Sequence, residues 1–247
     1  MQSAHKRRRL ALGRAAVFAV AITLLGLSLA GARSAKNSPT NSSYVLSPDK
    51  GKLKILLDGQ PIGTEEFEIA VTGTKWTARG TTELKVSQGA SARVSGTLVL
   101  QPNGAPVSYE WTSQNDKKNG ASIKFENGVA KMTLQLQGAK QPFEQDLTFG
   151  SSLISVLDNN LYHHYAILAR LYDWSKRGAQ SFPVLIPQEL TPGTISVEAS
   201  GTQDAGGKSY EGLRVSTSDL EVLLSVDKDH RLMRLEVPLA KVSVVRE

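Results

Sequence analysis

The sequence predicts a mainly β domain with one helical segment: a large curved antiparallel sheet, or open half-barrel, with a helix against its concave face. Three observations predict it. From Gly51 onward, run after run alternates apolar with polar residues; Asp58-Gly59 and Asn127-Gly128 supply tight reversals between runs; and one stretch near residues 152–177 changes from a period of two to that of a helix. The chain has no cysteine, so its core must hold it together without disulfides. The roughly 200 residues that follow the N-terminal segment are enough for one core.

Residues 1–35 read as a signal peptide or N-terminal membrane anchor. Lys6, Arg7, Arg8 and Arg9 run into an uncharged apolar stretch, Ala15 to Ala32, which ends in small residues. Arg14 and Arg33 bracket 18 uncharged residues, close to the length that spans a hydrocarbon core of about 30 Å. Ala30-Gly31-Ala32 has the form a signal peptidase takes, and Thr23, Gly26, Ser28 and Gly31 dilute the apolar character, so cleavage is the expectation and an inner-membrane anchor the alternative. Either way the basic cluster keeps the N-terminus in the cytoplasm and sends the rest across the membrane, to a periplasmic, secreted or membrane-anchored location. Arg7-Arg8-Arg9-Leu10 loosely fits a twin-arginine signal.

Seven of the 29 basic residues precede the first acid, Asp49, leaving 22 against 23 acidic residues in the remainder. The net charge of +6 therefore belongs to the leader, and the domain is near neutral. A nucleic-acid partner needs a basic stripe on a folded face, so none is expected. Residues 36–47, KNSPTNSSYVLS, have the Ser/Asn/Pro composition of a flexible linker. The β-rich domain then occupies residues 48–247.

Leu53, Ile55 and Leu57 alternate with Lys52, Lys54 and Leu56; Phe67, Ile69 and Val71 alternate with Glu66, Glu68 and Ala70. Each run has a buried and a wet face, the mark of a half-buried antiparallel strand. Ile123 to Glu126, Asn127-Gly128, and Val129 to Leu136 form the strongest hairpin signal, because Asn-Gly accepts the positive φ angles of a type I′ turn. Further runs at 75–86, 93–100, 107–113, 143–149, 181–186, 194–200, 210–216, 220–226, 231–237 and 242–245 bring the total to about a dozen strands.

Leu157, Leu161, His164, Leu168 and Leu171 follow at steps of four, three, four and three, one face of a helix within Leu153 to Trp174. Lys176, Arg177 and Gly178 supply a basic last turn and a glycine stop. Asp158-Asn159-Asn160 could cap a second helix after a break, so two short helices are as consistent as one long one.

This order of export signal, antiparallel meander and one mid-to-late helix resembles bacterial periplasmic half-barrels such as the Lol-type lipoprotein carriers and an uncharacterised exported β-rich family. The residues that carry the likeness are the opening Leu53-Lys54-Ile55-Leu56-Leu57-Asp58-Gly59-Gln60-Pro61-Ile62-Gly63 and the closing Val226-Asp227-Lys228-Asp229-His230-Arg231-Leu232. The resemblance covers most of residues 50–247 and implies, for a Lol-type carrier, acyl chains held in the hollow of the half-barrel.

Catalytic signatures are missing from the sequence: it has no G-x-S-x-G elbow, H-E-x-x-H helix, P-loop or dinucleotide fingerprint. Asp58-Gly59 lacks the intervening Thr or Ser of an aspartic protease. Adjacent residues on a helix point about 100° apart, so His163 and His164 do not easily share a metal, and neither a metal site nor a cofactor is expected. His164 lies in the apolar stripe and reads as a hydrogen-bonded core histidine, with His163 facing solvent. Glu65-Glu66-Glu68 and Asp116-Lys117-Lys118 read as solvated faces and turns. The candidate ligand wall is Tyr162, His164, Tyr165 and Tyr172 on the helix, a set that also suits helix-on-sheet packing.

The expected function is non-enzymatic: an exported envelope domain that binds a hydrophobic or lipid-like ligand. The alternative is a membrane-tethered structural or protein-interaction module. A hydrolase assembled from carboxylates such as Glu65, Glu110 and Asp158 is the third reading.

Overall fold

A computed structural model describes residues 45–85, 91–115, 117–205 and 207–247. The expected signal peptide or anchor, 1–35, and the expected linker up to residue 44 lie outside the described residues. Among the described residues fifteen strands form one sheet. They are β1 (Asp49–Leu57), β2 (Gln60–Thr72), β3 (Lys75–Lys85), β4 (Ser91–Leu100), β5 (Pro106–Gln114), β6 (Lys118–Glu126), β7 (Val129–Gln135), β8 (Phe143–Thr148), β9 (Ser155–Val156), β10 (Gln180–Ile186), β11 (Thr191–Ala205), β12 (Lys208–Ser216), β13 (Glu221–Val226), β14 (Leu232–Val237) and β15 (Val242–Arg246). Among the described residues one α-helix, α1 (His163–Leu171), lies between β9 and β10 in the chain. It is too short to cross a membrane.

The spatial order is β8-β7-β6-β5-β4-β3-β2-β1-β15-β14-β13-β12-β11-β10-β9. The chain thus starts in the middle of the sheet, meanders to one edge, enters the interior through α1, and returns from the other edge until β15 pairs with β1, Leu53 opposite Arg246 and Leu57 opposite Val242. All neighbours are antiparallel except β9 and β10. The two ends of the sheet approach each other, β8 coming alongside β11 without strand pairing, so a barrel-like shell is left with one seam.

The predicted reversals are present. Asp58 and Gly59 have φ of 50° and 77°, and Asn127 and Gly128 have 51° and 75°, the left-handed pair that a type I′ hairpin requires. The inward positions of both half-sheets, including Ile55, Ile69, Leu98, Ile123, Val197, Leu213, Leu224 and Val244, are almost fully buried, and they join α1 in one core.

The helix is shorter than the periodicity predicts. Ser155 and Val156 pair in parallel with β10, and Asp158 then bridges to Leu161 while its Oδ1 accepts the Asn160 N–H, so this Asp-Asn-Asn closes a turn instead of capping a helix. After Leu171 the backbone becomes extended at Tyr172. Trp174 still donates its indole N–H to Ala169 O, which folds the following loop onto the last turn.

Gly80 and Gly96 are paired cross-strand on β3 and β4. They expose bare backbone on which the start of α1 rests. A Cβ at Gly80 would lie 2.5 Å from the His163 ring, and one at Gly96 would lie 2.5 Å from Leu161 Cδ1. Gly80→Ala should therefore cost about 1–3 kcal/mol in urea unfolding. Gly150→Ala, whose Cβ would meet nothing within 4 Å, should stay within about 0.5 kcal/mol of the parent. Equal costs at the two positions would refute this account.

Candidate functional site

A polar cluster lies at the N-terminus of α1, deep inside the shell. On β2 the inward positions run Gly63, Glu65, Phe67, Ile69, so a carboxyl occupies a position where the pattern would place a hydrophobe, and Glu65 is 0% exposed. The first turn of α1 contains no acid and its N-cap residue, Tyr162, makes no side-chain cap. Glu65 supplies that cap from 97 residues away: Oε2 accepts the Tyr162 N–H at 2.7 Å and Oε1 accepts the His163 N–H at 3.3 Å. Both bonds satisfy orphan donors at the positive end of the helix dipole. Oε1 also lies 2.5 Å from His163 Nδ1.

Neighbouring strands complete the cluster. Thr82, opposite Glu65 on β3, donates its hydroxyl to Asn160 O at 2.5 Å. Tyr109 on β5 donates its hydroxyl to Asp158 Oδ2 at 2.5 Å. The Asp158 N–H donates to His164 Nδ1 at 3.2 Å, which places the imidazole proton of His164 on Nε2. His163 stacks on Phe67 and meets His164 edge-on, with ring centroids 4.5 Å apart. At the other end of the helix, Asp49 accepts hydrogen bonds from Arg170 at 3.0 Å and from Arg246 at 2.5 Å, which links β1, α1 and β15.

The four expected ligand residues do not share one wall. Tyr162 is the N-cap residue whose backbone N–H Glu65 accepts, and His164 is 1% exposed within the cluster. Tyr165 lines a narrow cleft of about 40 Å³ with Leu157, Asp158, Ile186, Ile195 and Val222. Tyr172 fastens the C-terminal end, donating to Gly178 O and accepting the Ala199 N–H. His163 does not face solvent as the spacing suggests; α1 is enclosed by the shell, so its second face is buried too. Glu65 likewise leaves the solvated face assigned to it. The structure brings Glu65 and Asp158 into one cluster and leaves Glu110 exposed. Tyr109 and Thr82 had no signal in the sequence beyond their inward phase.

Two features mark the outer surface. A polar groove of about 410 Å³ lies over β2, β3 and β4, lined by Thr64, Glu66, Glu68, Arg79, Glu83 and Arg93 among others. Around the β7–β8 hairpin, Leu136 and Phe143 are each 50% exposed, and Leu153, beyond the far end of β8, is 44% exposed. Among the described residues no group of three or more His, Cys, Asp or Glu gathers as a metal site.

No family model matches this chain, and no curated protein matches its sequence. Among solved structures, it is similar to a β-barrel-like protein of a domain of unknown function, DUF1849, from Brucella abortus, with a TM-score of 0.56, 10% identity, and coverage of 83% of this chain and 97% of that one. A DUF1089 family protein from Pseudomonas aeruginosa aligns with a TM-score of 0.45 and 9% identity over 86% of this chain and 97% of that one. The first likeness shows a β-barrel-like fold, in keeping with an uncharacterised β-rich half-barrel, and indicates no catalytic family. It lends no support to the Lol-type part of the resemblance.

Burial dominates the electrostatics of the cluster. It pushes Glu65 up to about 8 against the N–H bonds from Tyr162 and His163, pushes Asp158 up to about 6 against the Tyr109 hydroxyl, and presses His163 down to about 3. At neutral pH Glu65 is a neutral acid whose proton faces a neutral imidazole. Its unfolded value is 4.5, so between 4.5 and about 8 the folded chain keeps a proton that the unfolded chain has lost. Its contribution to stability is complete below 4.5 and is lost as the pH rises through about 8. The lowered histidines act in the opposite sense, but only below their unfolded value of 6.5. Urea titrations from pH 7 to 8.5 should therefore show stability falling by up to about 1.4 kcal/mol per pH unit. Glu65→Gln, which keeps a donor toward Nδ1 and carries no charge, should flatten that slope; an unchanged slope would rule Glu65 out as its source.

Proposed function

We propose that the chain is a non-catalytic protein-interaction module that acts outside the cytoplasm, delivered or tethered there by residues 1–35. The observation that carries this reading is the filled interior. Small-molecule sites typically enclose about 300–1,000 Å³, whereas the apolar cleft at Tyr165 offers about 40 Å³. The larger groove is lined by carboxylates and guanidinium groups, which suit an acyl chain poorly. A hydrolase needs an acid or base within reach of a substrate atom, and Glu65 and Asp158 are sealed beneath α1 and the sheet. What the molecule presents to a partner is its seam, where half-exposed apolar side chains flank the end strand of the sheet.

The test is native mass spectrometry on protein recovered from the periplasm, before and after organic extraction, joined to in-cell photo-crosslinking from position 143 and, as control, from position 110. A clean protein mass together with protein crosslinks from 143 but not 110 is expected. A lipid-sized mass that leaves on extraction would overturn this reading in favour of the hydrophobic-ligand carrier.

A further inference from the structure

We infer that the free edge of β8 accepts an added β-strand from a partner protein, and that this strand alternates basic and apolar residues. The inference rests on the interaction reading above and names the partner's chemistry. Among the described residues β8 pairs only with β7, in the register Leu134–Phe143, Thr133–Glu144, Met132–Gln145, Lys131–Asp146 and Ala130–Leu147. Every second residue of such an edge aims its N–H and C=O outward, away from its neighbour. Side chains alternate as well, so Phe143, Gln145 and Leu147 turn inward with Leu134, Met132 and Ala130, while Glu144 and Asp146 turn outward.

The seam is shut at one end of β8 and open at the other. Leu147 is 6% exposed, whereas Phe143, on the same inward side, is 50% exposed. Leu136, at the same end as Phe143, is also 50% exposed and leaves further apolar surface there. A strand laid along this edge would bury apolar side chains against Phe143 and set its other face against Glu144 and Asp146, neither of which has an ion-pair partner among the described residues. Lys131, opposite Asp146, pairs with Glu126 instead. Basic residues on that face complement both carboxylates.

The same charges argue against the nearer alternatives. A second copy paired antiparallel about Gln145 would bring Glu144 of each chain against Asp146 of the other, and like charges directly opposite destabilise a ladder. An edge strand that only avoided aggregation would carry its acids without leaving Phe143 and Leu136 uncovered.

The experiment is hydrogen exchange of the amides of residues 143–148 in the full chain, held in mild detergent, with either of two synthetic peptides, one alternating Lys with Val and the other Glu with Val. The Lys-Val peptide should slow exchange along β8 by about tenfold and the Glu-Val peptide should not. In the Glu144→Lys/Asp146→Lys variant, both positions exposed and its fold checked by circular dichroism, the preference should reverse. The proposal is overturned if neither peptide slows β8, if both slow it equally, or if protection rises with protein concentration alone, which would mark a second copy. Its failure with no lipid in the native mass spectrum removes only the strand; an extractable lipid removes the interaction reading beneath it.

Discussion

A carboxyl group buried at the heart of a β shell must be discharged or given donors, and Glu65 meets both conditions at the N-terminus of α1. The helix has nine residues, below the length at which an isolated helix is stable in water, so its existence depends on what surrounds it. Glu65 satisfies its first N–H groups, Gly80 and Gly96 let its first turn approach the sheet, and the apolar shell buries its sides. Remove the carboxyl, and two buried backbone donors lose their partner at a point no side chain of the helix can replace.

The opposite end is fixed by a charge cluster of a different kind. Burial alone would raise Asp49, but the hydrogen bonds from Arg246 and Arg170 outweigh it and hold its carboxyl below the usual range. Arg246 lies also over the Phe67 ring, 5.4 Å from its centroid. The residues that clamp the helix are thus those around the β1–β15 junction, so closing the sheet in its middle and seating the helix are one event. This coupling explains why the chain's first and last strands carry Asp49 and Arg246 at inward-facing positions.

Much of the fold could be read from the sequence because its causes are local. Alternation at Leu53, Ile55, Phe67 and Ile69 sets strands, and Asp58-Gly59 and Asn127-Gly128 set turns, whatever the rest of the chain does. The helical spacing was real over Leu161 to Leu171 and misleading before it, where β9 and the Asp158 turn have apolar residues at similar intervals. The cluster is not legible in the sequence because its determinants are distant from one another along the chain. Glu65 sits in phase with Phe67 and Ile69, a signal present in the sequence, but the run Glu65-Glu66-Glu68 looks like a solvated face until α1 arrives from 97 residues away. One-faced packing would leave His163 in solvent, but a helix enclosed by a shell buries both faces, and His163 with them.

Because β1 and β15 pair in the middle, both edges of the sheet come from the interior of the chain, from the consecutive strands β8 and β9. Among the described residues both end strands of the sheet thus flank the segment that carries the chain inside. The two edges are handled differently. β9 is two residues long, buried and paired in parallel, which leaves little ladder to extend. β8 is six residues long, mostly exposed, and acidic on its outer side. The shell's own helix occupies its interior, and the meander leaves one extended boundary strand, so the proposed partner contact falls at the boundary.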